Sequence, residues 1–284
     1  MTAPSEYASW IGRCEEAEDT LSADTVRGLT AVLDHEPESP DDAPPLLAHW
    51  LCFLPRTPQS GLGPDGHPRR GGFLPSVRLP RRMWAGGDLW FSAPLRTGVP
   101  VRRTSEIVDV REREGRSGPL VFVTVDHKLR QDGALVLTER QDVVYREAPS
   151  GATAAAGGTR ERPAEEPPPG AWQRSLVPDP VLLFRYSALT FNGHRIHYDR
   201  TYAQQEEGYP GLVVHGPLTA TLLLDLYVRQ QPAAHVTGFR FRGLRPGFDG
   251  RELTLHGTPT GTGASLYAAD DQGRTVMSAE VDAS

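Results

Sequence analysis

The chain is almost without lysine. Of its 30 basic residues, all but Lys128 are arginine, so Schiff-base chemistry has a single candidate nucleophile. Cysteine is nearly as scarce. Cys14 and Cys52 form no C-x-x-C pair, which excludes a disulfide framework and a cysteine-rich zinc site. A positive field is missing as well: 36 acidic residues leave a net charge of −6, and a chain of that sign has no general means of collecting nucleic-acid phosphates. No apolar run approaches the length of a membrane span, and the mean hydropathy is −0.42. The N-terminal stretch carries Glu6, Glu15, Glu16, Glu18 and Asp19, the wrong charge for a secretory or mitochondrial presequence. A soluble, cytoplasmic protein is expected, with neither nucleic acid nor membrane as partner.

What is present suffices for a large core: 284 residues, 38% hydrophobic and 23% charged. The excess of Arg, Ala, Gly and Pro points to a GC-rich bacterial genome. With 29 Gly and 26 Pro, irregular segments must exist. The apolar spacing predicts helix over 5–33, broken near Ser22, with Ser22 or Asp24 as the second N-cap. The apolar stretch 46–54 reads as a buried strand, and the Gly/Pro-rich stretch 56–80 as a long loop or flap. Strands are expected at 88–92, 101–111, 120–128 and 135–145, the last two joined by a turn at Gln131-Asp132-Gly133. Residues 147–170 contain almost no large apolar side chain and read as a linker.

After it come an expected strand at 181–190, a short helix at 200–207, and an apolar helix at 216–229 with little polar face, hence nearly engulfed. Four strands follow at 235–244, 251–258, 265–269 and 275–281, with Asp271-Gln272-Gly273 as a hairpin turn. The halves echo each other. Leu95-Arg96-Thr97-Gly98 precedes one meander and Leu244-Arg245-Pro246-Gly247 the other. Helix followed by antiparallel meander, twice over, predicts an α+β chain in a double hot-dog arrangement, each sheet wrapping a helix. The alternative is two unrelated α+β domains. The expected division is a first half at 1–146, the linker at 147–170, and a second half at 171–284.

Chemistry concentrates between Phe184 and Leu226, in the run SALTFNGHRIHYD followed by GYPGLVVHGPL. These residues resemble the MaoC-like hydratase/dehydratase family of hot-dog enzymes, which act on acyl thioesters. That family places an Asp, a His five residues later, and an H-G that opens the central helix. Here Asn192, His197 and His215-Gly216 hold those positions. The wording is similar to one branch in particular, the mesaconyl-C4-CoA hydratase and type 2 hydroxyacyl-thioester dehydratase group. HWLCFLP and GGDLWFSAPLRTG extend the likeness into the first half. The resemblance implies a hydro-lyase that adds water reversibly to a 2-enoyl-CoA, with CoA as part of the substrate and no metal or redox cofactor. It also implies CoA or acyl-carrier-protein thioesters as partners, a motif-free, substrate- and CoA-binding role for 1–146, the catalytic motif in 171–284, and homodimers as common for the fold.

Hydrating an enoyl thioester needs a base for water, an acid at C2, and donors for the developing thioester oxyanion. His197 suits the proton work because imidazole titrates near neutrality. Gly216 opens a helix with Pro217 in its first turn, where free N–H groups and the dipole favour an oxyanion. Asn192 departs from the family pattern: an amide is no base, but it can orient water or hold an imidazole tautomer. His197 is therefore expected to transfer protons alone or through one water. Asp199, the nearest carboxylate, reads as the cap of the helix from Arg200.

His215 either holds its loop through a carbonyl or binds the thioester. Tyr198 is a packing residue or a pocket lining. His194 and His235 read as structural, and a metal shared by His194 and His197 lacks a convincing third ligand. Arg185 and Arg195 flank the motif and could clamp a second substrate carboxylate. Arg240 and Arg242 share a strand face; they, or Arg81 and Arg82, could meet the CoA phosphates. A hot-dog thioesterase and a non-catalytic acyl-CoA binding module are the competing readings.

Overall fold

The computed structural model describes residues 6–36, 43–115, 118–147 and 170–284. The first half contributes β1 (Cys14–Thr20), α1 (Ala23–Val32), β2 (Arg81–Phe91), β3 (Pro100–Gly115), β4 (Gly118–Gln131) and β5 (Ala134–Arg146). The second contributes β6 (Trp172–Leu176), α2 (Pro180–Leu189), α3 (Arg200–Gln205), α4 (Gly216–Gln230), β7 (Val236–Gly243), β8 (Leu253–Thr260), β9 (Gly263–Ala269) and β10 (Thr275–Ala283). All ten strands form one antiparallel sheet in the order β1-β3-β4-β5-β2-β7-β10-β9-β8-β6. Five consecutive positions come from each half, and the halves meet where β2 pairs with β7. The topology repeats: strand, helix, then four strands, with the two L-R-x-G turns at equivalent places before β3 and β8. Of the expected 147–170 linker, all but Glu147 and Gly170 lies outside the described residues.

The strand–turn–strand units form where alternation and turn residues agree. Asp132 adopts φ 48° and Gly133 φ 78° in the turn between β4 and β5, the left-handed pair that a tight hairpin needs. Along β4, burial alternates strictly from Val121 to Gln131, so one face packs on the core. In α4 every residue from Leu218 to Tyr227 is buried, as a helix without a polar face requires. Its buried Asp225 is met by Arg174 Nη1 at 2.7 Å and Arg229 Nε at 2.8 Å, because an unpaired carboxylate could not be held there.

Three expected elements differ. The stretch before Ser22 is β1, whose half-buried positions Glu15, Ala17 and Asp19 alternate with exposed ones. Two of these inward positions are charged, so hydropathy did not display the period of two. Asp19 instead accepts the Phe53 N–H at 2.7 Å. Ser22 is the cap of α1, its Oγ accepting from Thr25 N. Residues 46–54 are no strand but contain a 3-10 turn at Ala48–Leu51. It delivers His49 Nε2 to 3.2 Å and Trp50 Nε1 to 2.8 Å from the buried Glu139 carboxylate. The strand expected at 181–190 is α2: Asp179 caps it by accepting from Leu182 N, Pro180 starts it, and Leu183, Tyr186 and Ser187 bury at helical spacing.

Among the described residues, no helix between α1 and β2 matches α4 in length. A cavity of about 320 Å³ is walled by Leu33, Leu47, His49, Leu129 and Val136 of the first half and by Leu224 of α4. Among the described residues, no helix is long and apolar enough to cross a membrane.

The β2–β7 junction is tight. A Cβ on Gly86 would lie 2.5 Å from the Phe241 carbonyl oxygen. Gly86→Ala is expected to lower stability by about 1–3 kcal/mol through overpacking. In urea, both halves should lose structure in one transition at a lower midpoint.

Candidate active site

The motif singled out in the sequence occupies the chain between α2 and α4. Phe191, at φ 48°, ends α2 in the left-handed conformation usually left to Gly or Asn. Asn192 then turns the chain: its N–H donates to Ser187 O at 2.8 Å and its Oδ1 accepts the His194 N–H at 3.0 Å. A 3-10 turn, Arg195–His197, follows. Tyr198 Oη donates to Gly193 O at 3.0 Å, and Val213 N donates to Ile196 O at 2.9 Å, fastening the loop on both sides. Asp199 caps α3, accepting the Tyr202 N–H at 3.0 Å.

His197 is buried, and its Nδ1 lies 2.7 Å from Val213 O. A carbonyl can only accept, so Nδ1 carries the proton and Nε2 keeps its lone pair. The ring stacks on His215 with centroids 3.7 Å apart. His215 is the residue before α4; its Nε2 meets Ser187 Oγ at 2.9 Å and its buried Nδ1 has no partner. Gly216 begins α4 without a side-chain cap, and a Cβ there would meet nothing within 4 Å. The helix start is therefore left uncapped by His215, whose ring belongs to the stacked imidazole pair.

The first half reaches this site. The loop Pro64–His67 lies against Asn192–Arg195: Arg195 N donates to Asp65 O at 2.9 Å and Arg195 Nη1 to Pro64 O at 3.1 Å. A Cβ on Gly66, at φ +87°, would sit 1.9 Å from Gly193 O. This brings His67 over His194, with centroids 4.0 Å apart, and His194 meets His197 edge-on at 5.4 Å. The result is a continuous row of four imidazoles, His67, His194, His197 and His215, with Asp65 at one end and Ser187 at the other.

Burial sets the protonation of this row. Loss of hydration pushes His197 down to about 3, outweighing the Val213 hydrogen bond that favours its cation. His194 is pushed down to about 3 by burial and then by the neighbouring His67. His215 falls well below its ordinary value through burial and then His197. Burial works against the Asp65 carboxylate, but its hydrogen bond and charge interaction with His67 hold it down at about 2.

The model of the family described as hydroxyacyl-thioester dehydratase type 2 matches residues 47–249. The chain belongs to this family. It is 48% identical over 280 residues to the mesaconyl-C(4)-CoA hydratase of Chloroflexus aurantiacus, covering 98% of each chain. Its fold matches a solved MaoC-like dehydratase with a TM-score of 0.73 at 17% identity, covering 96% of this chain and 98% of that one. A Mycobacterium tuberculosis protein described as having a double hotdog fold matches with a TM-score of 0.57 at 16% identity, covering 96% of both. The α+β double hot-dog arrangement expected from the repeated order is thus the fold, and the chain is a lyase that hydrates and dehydrates acyl thioesters.

Within this dehydratase framework the residues singled out in the sequence separate. His197, His215 and Gly216 converge, and Asn192 turns the loop that carries His197. Tyr198 is half-exposed and spends its hydroxyl on the loop. Arg195 is engaged by Asp199, at 2.8 Å from Nη2, and lies over the Tyr202 ring at 4.2 Å; it ties the loop together. Arg240 is held by Glu280 and Asp282 at 2.9 and 2.8 Å. Arg185 and Arg242 are exposed on α2 and β7. Arg81 pairs with Glu207 at 2.9 Å. His194, read as structural from sequence, sits in the imidazole row. Asp65, His67 and Ser187 were not singled out at all; the Asp-Gly-His turn inside the Gly/Pro-rich stretch was the available signal.

Three neutral histidines make the fold acid-sensitive. Unfolded, each takes up a proton near pH 6.5; folded, His194 and His197 do not until about 3. The histidine contribution to stability is therefore complete above about pH 6.5 and is lost as pH falls toward 3. The urea midpoint should drop through that window, and His215→Asn should make the slope shallower. A midpoint flat from pH 7 to 4 would contradict burial of these rings.

Proposed function

We propose that the chain hydrates a 2-enoyl-CoA reversibly, with a branched, dicarboxylic acyl group of the mesaconyl type as its substrate. The substrate reading is supported by the 48% identity, over nearly the whole chain, to a mesaconyl-C(4)-CoA hydratase. The observation that carries the mechanism is the fixed tautomer of His197: Nδ1–H on Val213 O, Nε2 lone pair free, beside an uncapped helix start. A neutral, desolvated imidazole in that state is a base and not an acid.

In the hydration direction His197 Nε2 takes a proton from water as the oxygen bonds to C3. The π electrons of the C2=C3 bond move toward C2 and the thioester carbonyl. The Gly216 N–H, at the positive end of the α4 dipole, receives the developing oxyanion. A proton then reaches C2 and the 3-hydroxyacyl thioester leaves. Asn192 shapes the loop through its Oδ1 and retains its amide N–H groups to orient the attacking water. The exposed Arg185 and Arg242 are the candidates for the anionic groups of substrate and CoA.

The test is a panel of straight, branched and dicarboxylic enoyl-CoA esters, following loss of the conjugated thioester absorbance. Mesaconyl-type esters should be turned over fastest. Release of free CoA thiol in place of hydration would make the chain a thioesterase and overturn the reading. His197→Ala should lower hydration by about 10²–10⁴-fold, the usual worth of a general base, with the fold intact by circular dichroism; activity within a few-fold of wild type would remove His197 from this role. Asn192→Asp should change the pH profile of kcat/KM more than KM, and an unchanged profile would count against water orientation by Asn192.

A further inference from the structure

The reaction needs a proton at C2, and the motif supplies no group to carry it once Asn stands at 192. Asp199 is spent on Arg195 and on the α3 cap. The carboxylate connected to His197 through unbroken side-chain contact is Asp65, contributed by the other half of the chain.

We infer that Asp65, His67 and His194 form a proton-holding arm in place of the carboxylate missing at 192, with His194 exchanging the C2 proton while His197 works on water. The inference rests on the hydratase reading and adds a second proton path to it.

The geometry of the arm is specific. Asp65 Oδ1 accepts the His67 backbone N–H at 3.1 Å, and Oδ2 lies 3.2 Å from His67 Nδ1. The carboxylate therefore fixes the His67 tautomer, with the proton on Nδ1 and Nε2 as the second proton site. The His67 ring lies against His194 at 4.0 Å with the planes tilted by 40°. The loop bearing Asp65 is clamped by two Arg195 hydrogen bonds and by the Gly66–Gly193 contact, so the arm is held before substrate arrives. Asp65, His67, Arg82, His197 and His215 are the titratable and charged groups that bear on His194.

Donor atoms of Asp65, His67 and His194 lie within 4.8 Å of one another, a spacing that a metal ion would also fit, so the metal content of the purified protein is one arm of the test below.

The step balances. Water loses one proton to His197 Nε2 as its oxygen bonds to C3. That proton passes from His197 through a bridging water to the neutral His194, whose transient cation Asp65 offsets through His67, and from His194 to C2, where the displaced π pair forms the C–H bond. Both imidazoles end neutral. No oxidant, reductant or further reagent is required.

Asp65→Asn and His67→Gln should each lower kcat by about a hundredfold, with KM within about threefold, an altered pH profile, and an unchanged circular dichroism spectrum. Asp65→Glu should restore part of the rate, which a loop-packing role would not. Independently of turnover, proton NMR of the full chain should show a slowly exchanging His67 Nδ1–H resonance that Asp65→Asn abolishes. Absence of that resonance from the wild type would overturn the arm even if no enoyl-CoA proved to be a substrate. So would an active wild type whose Asp65→Asn variant keeps kcat within about threefold and the same pH profile, or a stoichiometric metal in the purified protein whose removal stops turnover.

Discussion

The pairing of β2 with β7 is the contact on which the rest depends. Gly86 faces Arg242 and Gly87 faces Phe241 across it, and the missing side chains let two five-stranded halves approach closely enough to share one hydrogen-bonded ladder. Because the ladder is continuous, the buried residues of the two halves merge. One hydrophobic cluster runs from Leu29 and Leu47 in the first half to Leu223 and Val281 in the second. That shared core places the Pro64–His67 loop over the chain that carries His197. Without the junction the motif would have its helix but not its neighbours.

The second constraint is desolvation. Four imidazoles in contact could not all be cations in so dry a site, and the structure answers by keeping those along the motif neutral. Neutrality is also what the chemistry asks of a base. The same burial that makes protonation costly leaves His197 Nε2 as an acceptor, and the Val213 carbonyl fixes which nitrogen that is. A negative charge next to this pair is tolerated only at the periphery, at Asp65, where His67 and the loop backbone answer it. The amide at 192 fits the same rule: it turns the loop without bringing a charge into it.

Much of this could be read from the residues, for identifiable reasons. β4 and β5 are legible because apolar alternation and an Asp-Gly turn coincide, and α4 because its apolar run exceeds the length of a buried strand. β1 is not, since its inward positions are Glu and Asp that find partners far away in the chain. α2 was masked by an apolar run that strand and helix share, although Asp179-Pro180 gave the helix start. At the site, His197, His215 and Gly216 are close in sequence and carry a spacing. Asp65 and His67 carry none. Their place follows from the register of a sheet assembled from the whole chain, which no local pattern encodes. Arg195 had a suitable charge for a substrate clamp, but no sequence feature discloses that Asp199 and the Pro64 carbonyl already occupy it.

The contact between Gly66 and Gly193 has a consequence for how this molecule can change. Each glycine excludes a side chain on the other's account: a Cβ at 66 collides with the Gly193 carbonyl, and one at 193 would stand 3.0 Å from that of Gly66. A duplicated fold would ordinarily leave its idle copy free to drift. Here the copy without the motif is denied that freedom at one point, because its loop is the mould in which the other copy's loop is cast. Divergence between the halves must therefore proceed in step at this seam, and a hybrid chain joining halves from two relatives would have to inherit both loops from the same parent.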